Sequence, residues 1–414
     1  MKIVYLLFLD LNGKLRVRTI PEDKYQVVLQ EGTGFDGSSV DGFATIENSD
    51  LLLKPIERTK KEIFFSDLSE PFSTVFCEVY QDDKRFSLDP RYVLEKTLEE
   101  FHQNIRVGAE VEFYFTKNGN PLEPENLLDR YCQIFPDETE SLRMEAMEVL
   151  EKAGLDVEYG NHEVGPSQSE ICIKYSSPIN TSENIILIKF LLRRYLKESH
   201  TVEVNFMPKP WAHLPGNGMH FHISMFDNGN LFYDNGLSQF GRYFIGGILE
   251  HARGMSAIMC PTVNSYRRLK KNSEAPVNIS WGFKNRSCLI RVPLYSSQNL
   301  EERMRIEYRA SDPLANPYLA LSVLLKAGLE GVRKKIDPGD PLSSNAYEHN
   351  LPSLPKSLLE ALSEMKSDTL VKETLGSEMF DKYIELKERE IKDFLTRGKN
   401  AVVNEWERLY YSYW

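Results

Sequence analysis

The sequence predicts an α+β protein in two parts, a small strand-rich domain over residues 1–86 and a larger mixed domain over residues 87–414. Three observations carry this. The first part is a series of short apolar runs broken by turn residues, the pattern of strands and hairpins. A helix-start signal, Asp89-Pro90, then closes it: an N-cap residue followed by proline in the first turn. Beyond that point, strands with one apolar and one charged face alternate irregularly with amphipathic helices.

The elements follow in order. Ile3–Leu9 and residues 15–19 flank Leu11-Asn12-Gly13, a tight hairpin turn. Further strands are expected at 25–29, 51–53, 63–66 and 74–80. The helix opened by Asp89-Pro90 continues through Tyr92, Leu94, Leu98 and Phe101. Helices are then expected at Glu140–Lys152, 182–196, 239–256 and 317–332, and a charged helical tail runs from Ser353. The apolar run after Met1-Lys2 reads as a first strand and not as a leader. It is short, Asp10 ends it, and no small-residue cleavage site follows. No apolar stretch reaches the length of a membrane span.

Composition narrows the function classes. With 41% hydrophobic and 27% charged residues, the chain reads as a soluble globular protein with a large core. Acidic residues outnumber basic ones, 61 to 50, without a basic tail or stripe, which argues against nucleic acid as the main partner. Cys77, Cys132, Cys172, Cys260 and Cys288 are scattered and form no Cys-x-x-Cys pair. Zinc ribbon and redox dithiol are thereby disfavoured, and an odd cysteine count in a long chain fits a cytoplasmic location.

The chemistry is concentrated on a few strands. In residues 105–115, Val107, Ala109, Val111, Phe113 and Phe115 share one face, and Gly108, Glu110 and Glu112 the other. Two carboxylates side by side repel unless water or a cation separates them. In 218–225, His220, His222 and Ser224 oppose Met219, Phe221, Ile223 and Met225. In 304–309, Arg305, Glu307 and Arg309 oppose Met304, Ile306 and Tyr308. Residues 169–175 carry Glu170, with Glu163 just upstream. One such strand is a solvated sheet face; several together suggest a shared polar cavity. Five glutamates and a histidine form a hard, oxygen-rich ligand set suited to Mg²⁺ or Mn²⁺ and not to zinc. Two ions clamping phosphate oxygens, with Arg268, Arg286, Arg291 and Arg309 nearby, suit phosphoryl transfer. Gly32-Thr33-Gly34-Phe35-Asp36-Gly37 matches G-x-G-x-x-G formally, but no apolar helical period follows it, so a dinucleotide fold is not indicated.

Over nearly its whole length the chain resembles type I glutamine synthetases. Phe35-Asp36-Gly37-Ser38-Ser39 looks like that family's latch loop, with Ser49-Asp50 at the expected distance. Glu110 and Glu112 match its paired metal glutamates, His162-Glu163-Val164 through Glu170 its next acidic segment, and Gly218-Met219-His220-Phe221-His222-Ile223-Ser224 its histidine strand. Asn264-Ser265-Tyr266-Arg267-Arg268-Leu269, Glu274-Ala275-Pro276, Asn285-Arg286-Ser287, Ile290-Arg291-Val292-Pro293 and Ile306-Glu307-Tyr308-Arg309 extend the match, and Asp312-Pro313 and Ala315-Asn316-Pro317-Tyr318-Leu319 complete it.

The resemblance implies a β-grasp-like N-terminal domain and a catalytic domain built on a curved antiparallel sheet. It implies an ATP-dependent ligase that joins ammonia to glutamate through a γ-glutamyl phosphate. Glu112, Glu163 and Glu170 would hold one Mg²⁺ or Mn²⁺ ion, and Glu110, His220 and Glu307 the other. Glu158, His222 and Ser224 would contact ATP, with Arg286 and Arg291 at the transferred phosphoryl group. Gly216, Arg268 and Arg309 would hold glutamate, beside Glu112, His220 and the flap residue Glu274. Asp36, Ser39, Tyr131 and Glu163 would form the ammonium pocket, Asp36 taking a proton. The resemblance also implies a homo-oligomer, a dodecamer of two six-membered rings whose small domains complete neighbouring sites.

There are departures. Pro215 stands where the family usually has a glutamate-touching asparagine, Asn161 replaces a usual histidine, and Thr45 lies where the glutamine-inhibited branch often has arginine. Tyr347 lies near the family's adenylylation tyrosine in a divergent loop. Pro215 leaves open a γ-glutamyl ligase that uses a larger amine, such as a polyamine. Asp36, Tyr131 and Glu274 favour a small cation instead, and the intact metal and arginine sets disfavour a non-catalytic regulatory relative. Two features are expected to mark subunit contacts: the glycine-rich loop 32–39, ill suited to hold Asp36 rigidly alone, and the aromatic tail 409–414.

Overall fold

The computed structural model describes residues 2–65, 70–124, 130–132, 139–271, 273–294, 298–398, 403–411 and 414. Among these, two sheets form. The first holds β1 (Ile3–Leu9), β2 (Leu15–Pro21), β3 (Thr33–Asp36), β4 (Asp50–Pro55), β5 (Lys61–Ile63), β6 (Phe72–Gln81) and β7 (Lys84–Arg85), in the order β2-β1-β6-β4-β3 with β5 and β7 on β6. Its β1–β6 pair is parallel and its other pairs are antiparallel. The β1–β2 hairpin closes where expected, Leu9 pairing Leu15, and Gly13 supplies the positive φ of 82° that the turn demands.

The second sheet holds β8 (Asn104–Lys117), β9 (Asn120–Pro121), β10 (Val157–His162), β11 (Gln168–Ser176), β12 (Glu203–Asn205), β13 (Met219–Phe226), β14 (Trp281–Phe283), β15 (Ile290–Val292) and β16 (Ile306–Tyr308). Its order is β10-β11-β8-β13-β16-β15-β14, antiparallel except for β14–β15, with β9 and β12 also pairing β8. The long central strand β8 obeys the period-two reading: Val107, Ala109, Val111, Phe113 and Phe115 are all fully buried. Each contributes up to about 1.5–3 kcal/mol of burial for the larger side chains, so the strand's facing is fixed and its glutamates must point the other way. The helix Pro178–His200 packs on β8, and the helix Pro317–Lys334 packs on it in turn. The fold is thus α+β, with the β-grasp-like sheet at the N-terminus and a curved sheet beyond it.

Several elements differ from expectation. Residues 25–29 lie in a helix, Tyr25–Glu31, and not in a strand. Tyr25, Val28 and Leu29 are spaced i, i+3, i+4, a helical period, and Gly32 at φ 77° ends the turn with its N–H on the Val28 carbonyl. The strand expected at 63–66 is Lys61–Ile63; Phe65 is buried beyond it, and Ser66 lies outside the described residues. The expected helix 239–256 is two helices, Gln239–Glu250 and Ala252–Met259, broken at His251. That imidazole bridges Asp368 Oδ2 at 2.9 Å and Glu330 Oε2 at 2.6 Å, contacts that reward the break.

The end of the aromatic tail folds back onto its own chain, the alternative to a contact surface, while Leu409 stays 72% exposed. Trp414 is buried against the chain's own first hairpin, and Tyr411 is buried between Glu390 and the rings of Trp406 and Trp414; Ser412 and Tyr413 lie outside the described residues. Trp414 Nε1 donates to the Asn12 carbonyl at 2.9 Å, and Arg193 Nη2 donates to the Trp414 backbone oxygen at 2.9 Å. Lys14 and Lys387 stand 4.5 and 4.7 Å from its ring.

Candidate active site

Strand register builds the site. Glu112 on β8 faces Glu170 on β11, and Glu170 faces Asn161 on β10. On the other side of β8, Glu110 faces His220 on β13. His222 faces Glu307 on β16, and Glu307 faces Arg291 on β15. One polar row therefore crosses six strands, of which β8, β11, β13, β16 and β15 bury apolar side chains on the opposite face. Carboxylates set directly opposite one another repel, so this row is stable only with protons, cations or donors between its members.

The side chains divide the row in two. Glu110 Oε1 lies 2.8 Å from His222 Nε2 and Oε2 lies 3.0 Å from His220 Nδ1, and the Tyr159 hydroxyl donates to Oε1 at 3.1 Å. Burial pushes Glu110 up, but the histidines outweigh it and hold the carboxyl well below its usual range. Burial likewise opposes ionisation of Glu307, yet Arg309 holds it down to about 2, with Arg291 Nη1 donating to Oε2 at 2.6 Å. The other half is starved of positive charge. Burial, then repulsion from Glu112, Glu274 and Glu110, pushes Glu163 up to about 9. Burial and repulsion from Glu110, Glu163 and Glu112 raise Glu170 well above its ordinary value.

Two triads bring ligand atoms within 4.8 Å of one another, Glu110–His222–Glu307 and Glu110–Glu170–His220. Carboxylate oxygens with one imidazole are the donors that hard divalent cations take, so the residues fit such an ion. His222 has a further constraint: Arg305 Nε donates to its Nδ1 at 3.1 Å, which places the remaining ring hydrogen on Nε2, towards Glu110.

A cleft of about 1730 Å³ opens over the row. It is lined by Glu110, Glu112, Glu163, Glu170, His220 and His222, and also by Tyr131, Glu158, Gly216, Ser224, Arg268 and Glu274, with Arg286 and Arg309. A bulge between Val157 and Tyr159 breaks the β10–β11 register where Glu158 enters the cleft. Glu274 is exposed and left-handed at φ 62°. Burial, then repulsion from Glu163, raises the Tyr131 hydroxyl to about 12. Arg268 Nη1 donates to the Ala310 carbonyl at 2.7 Å, beside Gly216 and Gly218; a Cβ on Gly218 would meet its guanidinium at 2.5 Å. Glu307 and Arg291 sit behind the lining, paired to each other.

Asp36 and Ser39, unlike Glu307 and Arg291 behind the lining, are expected site residues that lie apart from this cleft. Asp36 accepts from Ser38 N at 2.9 Å, from Ser38 Oγ at 2.6 Å and from Ser39 Oγ at 2.6 Å, bonds that hold it below the usual carboxylate range.

Sequence reasoning missed the support beneath Glu163. Glu123 Oε2 accepts from Arg130 Nη1 at 2.7 Å and from Ser167 N at 2.5 Å, and lies 2.9 Å from His162 Nε2. The other ring nitrogen of His162 is 2.6 Å from the Glu163 carbonyl. One buried carboxylate thus ties the Glu163 turn to the segment that leads into Tyr131. A lone glutamate 39 residues from its partner leaves no local pattern.

Comparison with known proteins agrees with this geometry. Residues 1–82 match the family model described as glutamine synthetase, beta-Grasp domain, and residues 87–411 that described as glutamine synthetase, catalytic domain. The chain is 40% identical over 409 residues to a glutamine synthetase of Pyrococcus furiosus, covering 95% of this chain and 91% of the relative. It is 39% identical to one of Thermococcus kodakarensis, covering 100% and 96%, and 38% identical to one of Thermotoga maritima, again 100% and 96%. A solved structure titled "Apo GmaS without ligand" superposes with a TM-score of 0.85 at 27% identity, covering 98% of this chain and 96% of that one. A second, titled "GmaS/ADP complex-Conformation 1", gives 0.85 at 26%, covering 99% and 96%. With both domains matched and the acidic row laid across its central sheet, the chain belongs to the glutamine synthetase family, the glutamate–ammonia ligases.

Proposed function

We propose that the chain makes glutamine from glutamate and ammonia, with ATP as the second substrate. The observation that carries this is the geometry of one cleft, lined by Glu110, Glu112, Glu163, Glu170 and His220 with Arg268, Arg286 and Arg309 beside them. Clustered carboxylates suit divalent cations, and the arginines beside them suit a carboxylate substrate and a phosphoryl group. In the first step a γ-carboxylate oxygen of glutamate attacks the terminal phosphorus of ATP, and ADP leaves. In the second, ammonia attacks the acyl carbon of the γ-glutamyl phosphate, and inorganic phosphate leaves. Ammonium gives its extra proton to a carboxylate, the role proposed for Asp36.

Glu112, Glu163 and Glu170 would hold one Mg²⁺ or Mn²⁺ ion and Glu110, His220 and Glu307 another. Bound there, the ions neutralise phosphate charge. His222, its Nε2 hydrogen directed at Glu110, would contact ATP as part of that pair, while His220, bonded to Glu110 through Nδ1, keeps Nε2 for a ligand bond. Glu158 and Ser224 line the nucleotide side, and the ADP title of the second solved relative supports a nucleotide in this cleft. Gly216, Arg268, Arg309 and Glu274 would hold glutamate. Arg286, on the exposed turn after β14, and Arg291, through Glu307, would offset the phosphoryl charge. Tyr131, Glu163 and, from a neighbouring subunit, Asp36 and Ser39 would form the ammonium pocket. The division between domains is placed at Phe86, and the assembly is proposed to be two six-membered rings. No described helix is long and apolar enough to cross a membrane. All five cysteines are unpaired, four of them buried, which supports the cytoplasm as the proposed location.

The second reading, a larger amine, rests on Pro215, whose carbonyl accepts from the Tyr114 hydroxyl at 2.9 Å and so fixes a proline ring in the cleft lining. The test is phosphate release from ATP with glutamate, comparing ammonia, methylamine and putrescine. Highest kcat/KM with ammonia is expected; preference for putrescine would replace this reading with the second.

A further inference from the structure

The loop carrying Tyr347 is knitted to two separate parts of the cleft wall. On one side, the Tyr347 hydroxyl donates to the Ala275 carbonyl at 2.9 Å, and Asn278 Nδ2 donates to the Ala346 carbonyl. On the other, Ala346 N donates to Ser287 Oγ at 2.8 Å, and Asn285 Nδ2 donates to the Leu342 and Ser344 carbonyls at 3.0 and 2.8 Å. Ser287 Oγ in turn donates to Asn285 Oδ1 at 2.6 Å. Ala275 directly follows Glu274, and Arg286 lies between Asn285 and Ser287. The loop therefore spans the gap between the flap and the turn on the phosphoryl side.

The bond to Ala275 falls at a strained point. Glu274 holds a left-handed φ of 62°, a conformation that an ordinary side chain keeps only when its surroundings impose it. Glu274 is exposed and its own side chain imposes little, whereas Ala275 is buried and pinned. Tyr347 is half-buried, with its ring at the cleft wall.

We propose that Tyr347 is a positioning residue whose hydroxyl ties the Glu274 flap to the Arg286 turn, so that both cover the acyl phosphate as one unit and keep water from it. This rests on the ligase reading above. Loss of the tie leaves binding groups in place but frees the flap, so the acyl phosphate meets water more often before it meets ammonia.

The test is Tyr347→Phe, which removes one oxygen. Phosphate released in excess of glutamine formed, measured at limiting ammonia, is expected to rise about three- to tenfold, the shift that one ordinary hydrogen bond gives to an opening equilibrium. KM for ATP stays within about twofold, because the nucleotide side is untouched. An unchanged ratio overturns the proposal whatever happens to turnover. A second readout does not depend on activity: trypsin cleavage after the exposed Lys270 and Lys271, followed by mass spectrometry, is expected to speed up by a similar factor. Unchanged cleavage overturns the tie itself. If the unaltered enzyme forms no amide from glutamate, the ligase reading fails while the cleavage arm still judges the tie. If Tyr347→Phe does not fold, Ser287→Ala cuts the other end of the strap and must give the same leak and the same cleavage.

Discussion

The acidic row on β8, β11, β13 and β16 and the hairpin of β3 and β4 both carry carboxylates proposed for the same reaction, and the chain treats them in opposite ways. In the row, Glu110, Glu170 and Glu307 are bonded to groups on other strands; Glu110 is held ionised by histidines 110 and 112 positions away, and Glu307 by Arg309 on its own segment with Arg291 from the next strand. On the hairpin, Asp36 is exposed, and the bonds to its carboxylate come from Ser38 and Ser39, two and three residues on. Nearby Ile46 is 83% exposed, a large apolar side chain with nothing of its own chain over it. The row is finished within one chain. The hairpin holds its carboxylate in a local turn, and the physical difference is whether burial or that turn fixes the side chain.

The largest effects are expected in the row. Glu163→Gln should lower synthetase turnover by more than about a hundredfold, since even groups supporting a metal ligand are worth about ten- to a hundredfold. Its circular dichroism and metal-free melting temperature should hold, because glutamine is close in shape to the protonated carboxyl that burial enforces there. The rise in melting temperature on adding Mg²⁺ should shrink, the ion on Glu110, His220 and Glu307 still binding; an unchanged rise would remove Glu163 from its ion. Asp36→Ala should cost about a hundredfold in ammonia-dependent turnover, the scale of a general base, with little change in the KM for ATP. Mixing Asp36→Ala with Glu307→Gln subunits after dissociation sharpens the contrast. Activity regained in mixed oligomers places Asp36 in a neighbour's site; none regained seats it in its own.

Glu123→Gln asks how far the row depends on its underpinning. Half-saturating Mg²⁺ should rise about tenfold, and the melting temperature should fall as buried Arg130 loses the negative charge it pairs with. Unaltered metal dependence with lowered stability would reduce Glu123 to a structural group.

The smallest effect lies away from both regions. Burial opposes charging of His251, but Asp368 and Glu330 outweigh it and raise the imidazole above its usual value. The folded state then binds a proton more tightly than the unfolded one, so this stability is complete below about pH 6.5 and is lost as pH rises through the raised value. The difference in melting temperature between the unaltered protein and His251→Gln should therefore shrink as pH is raised; a constant difference would mean that the bridge works uncharged.

The row was legible in the sequence because a half-buried strand has period two. Once Val107, Val111 and Phe113 are assigned to the core, Glu110 and Glu112 have only one place to go. What stayed hidden depends on distance in sequence. Nothing local to Glu123 announces His162, and nothing near His251 announces Asp368, 117 residues on. The helix at Tyr25–Glu31 was misread because two turns of helix and one half-buried strand leave similar short apolar signals. His222 and His220 share a motif and a face, and only Arg305, folded against one ring, separates donor from ligand.

The seat of Trp414 has a consequence for how the chain is made. Its indole caps a carbonyl in the first turn of the protein, 402 positions earlier. A ribosome adding about 5–20 residues per second leaves that hairpin without its lid for roughly 20–80 s. For this interval the β1–β2 hairpin can pair with β6, but its turn lacks the indole that caps the Asn12 carbonyl. The turn is thus sealed only once the other end of this sequence has been made.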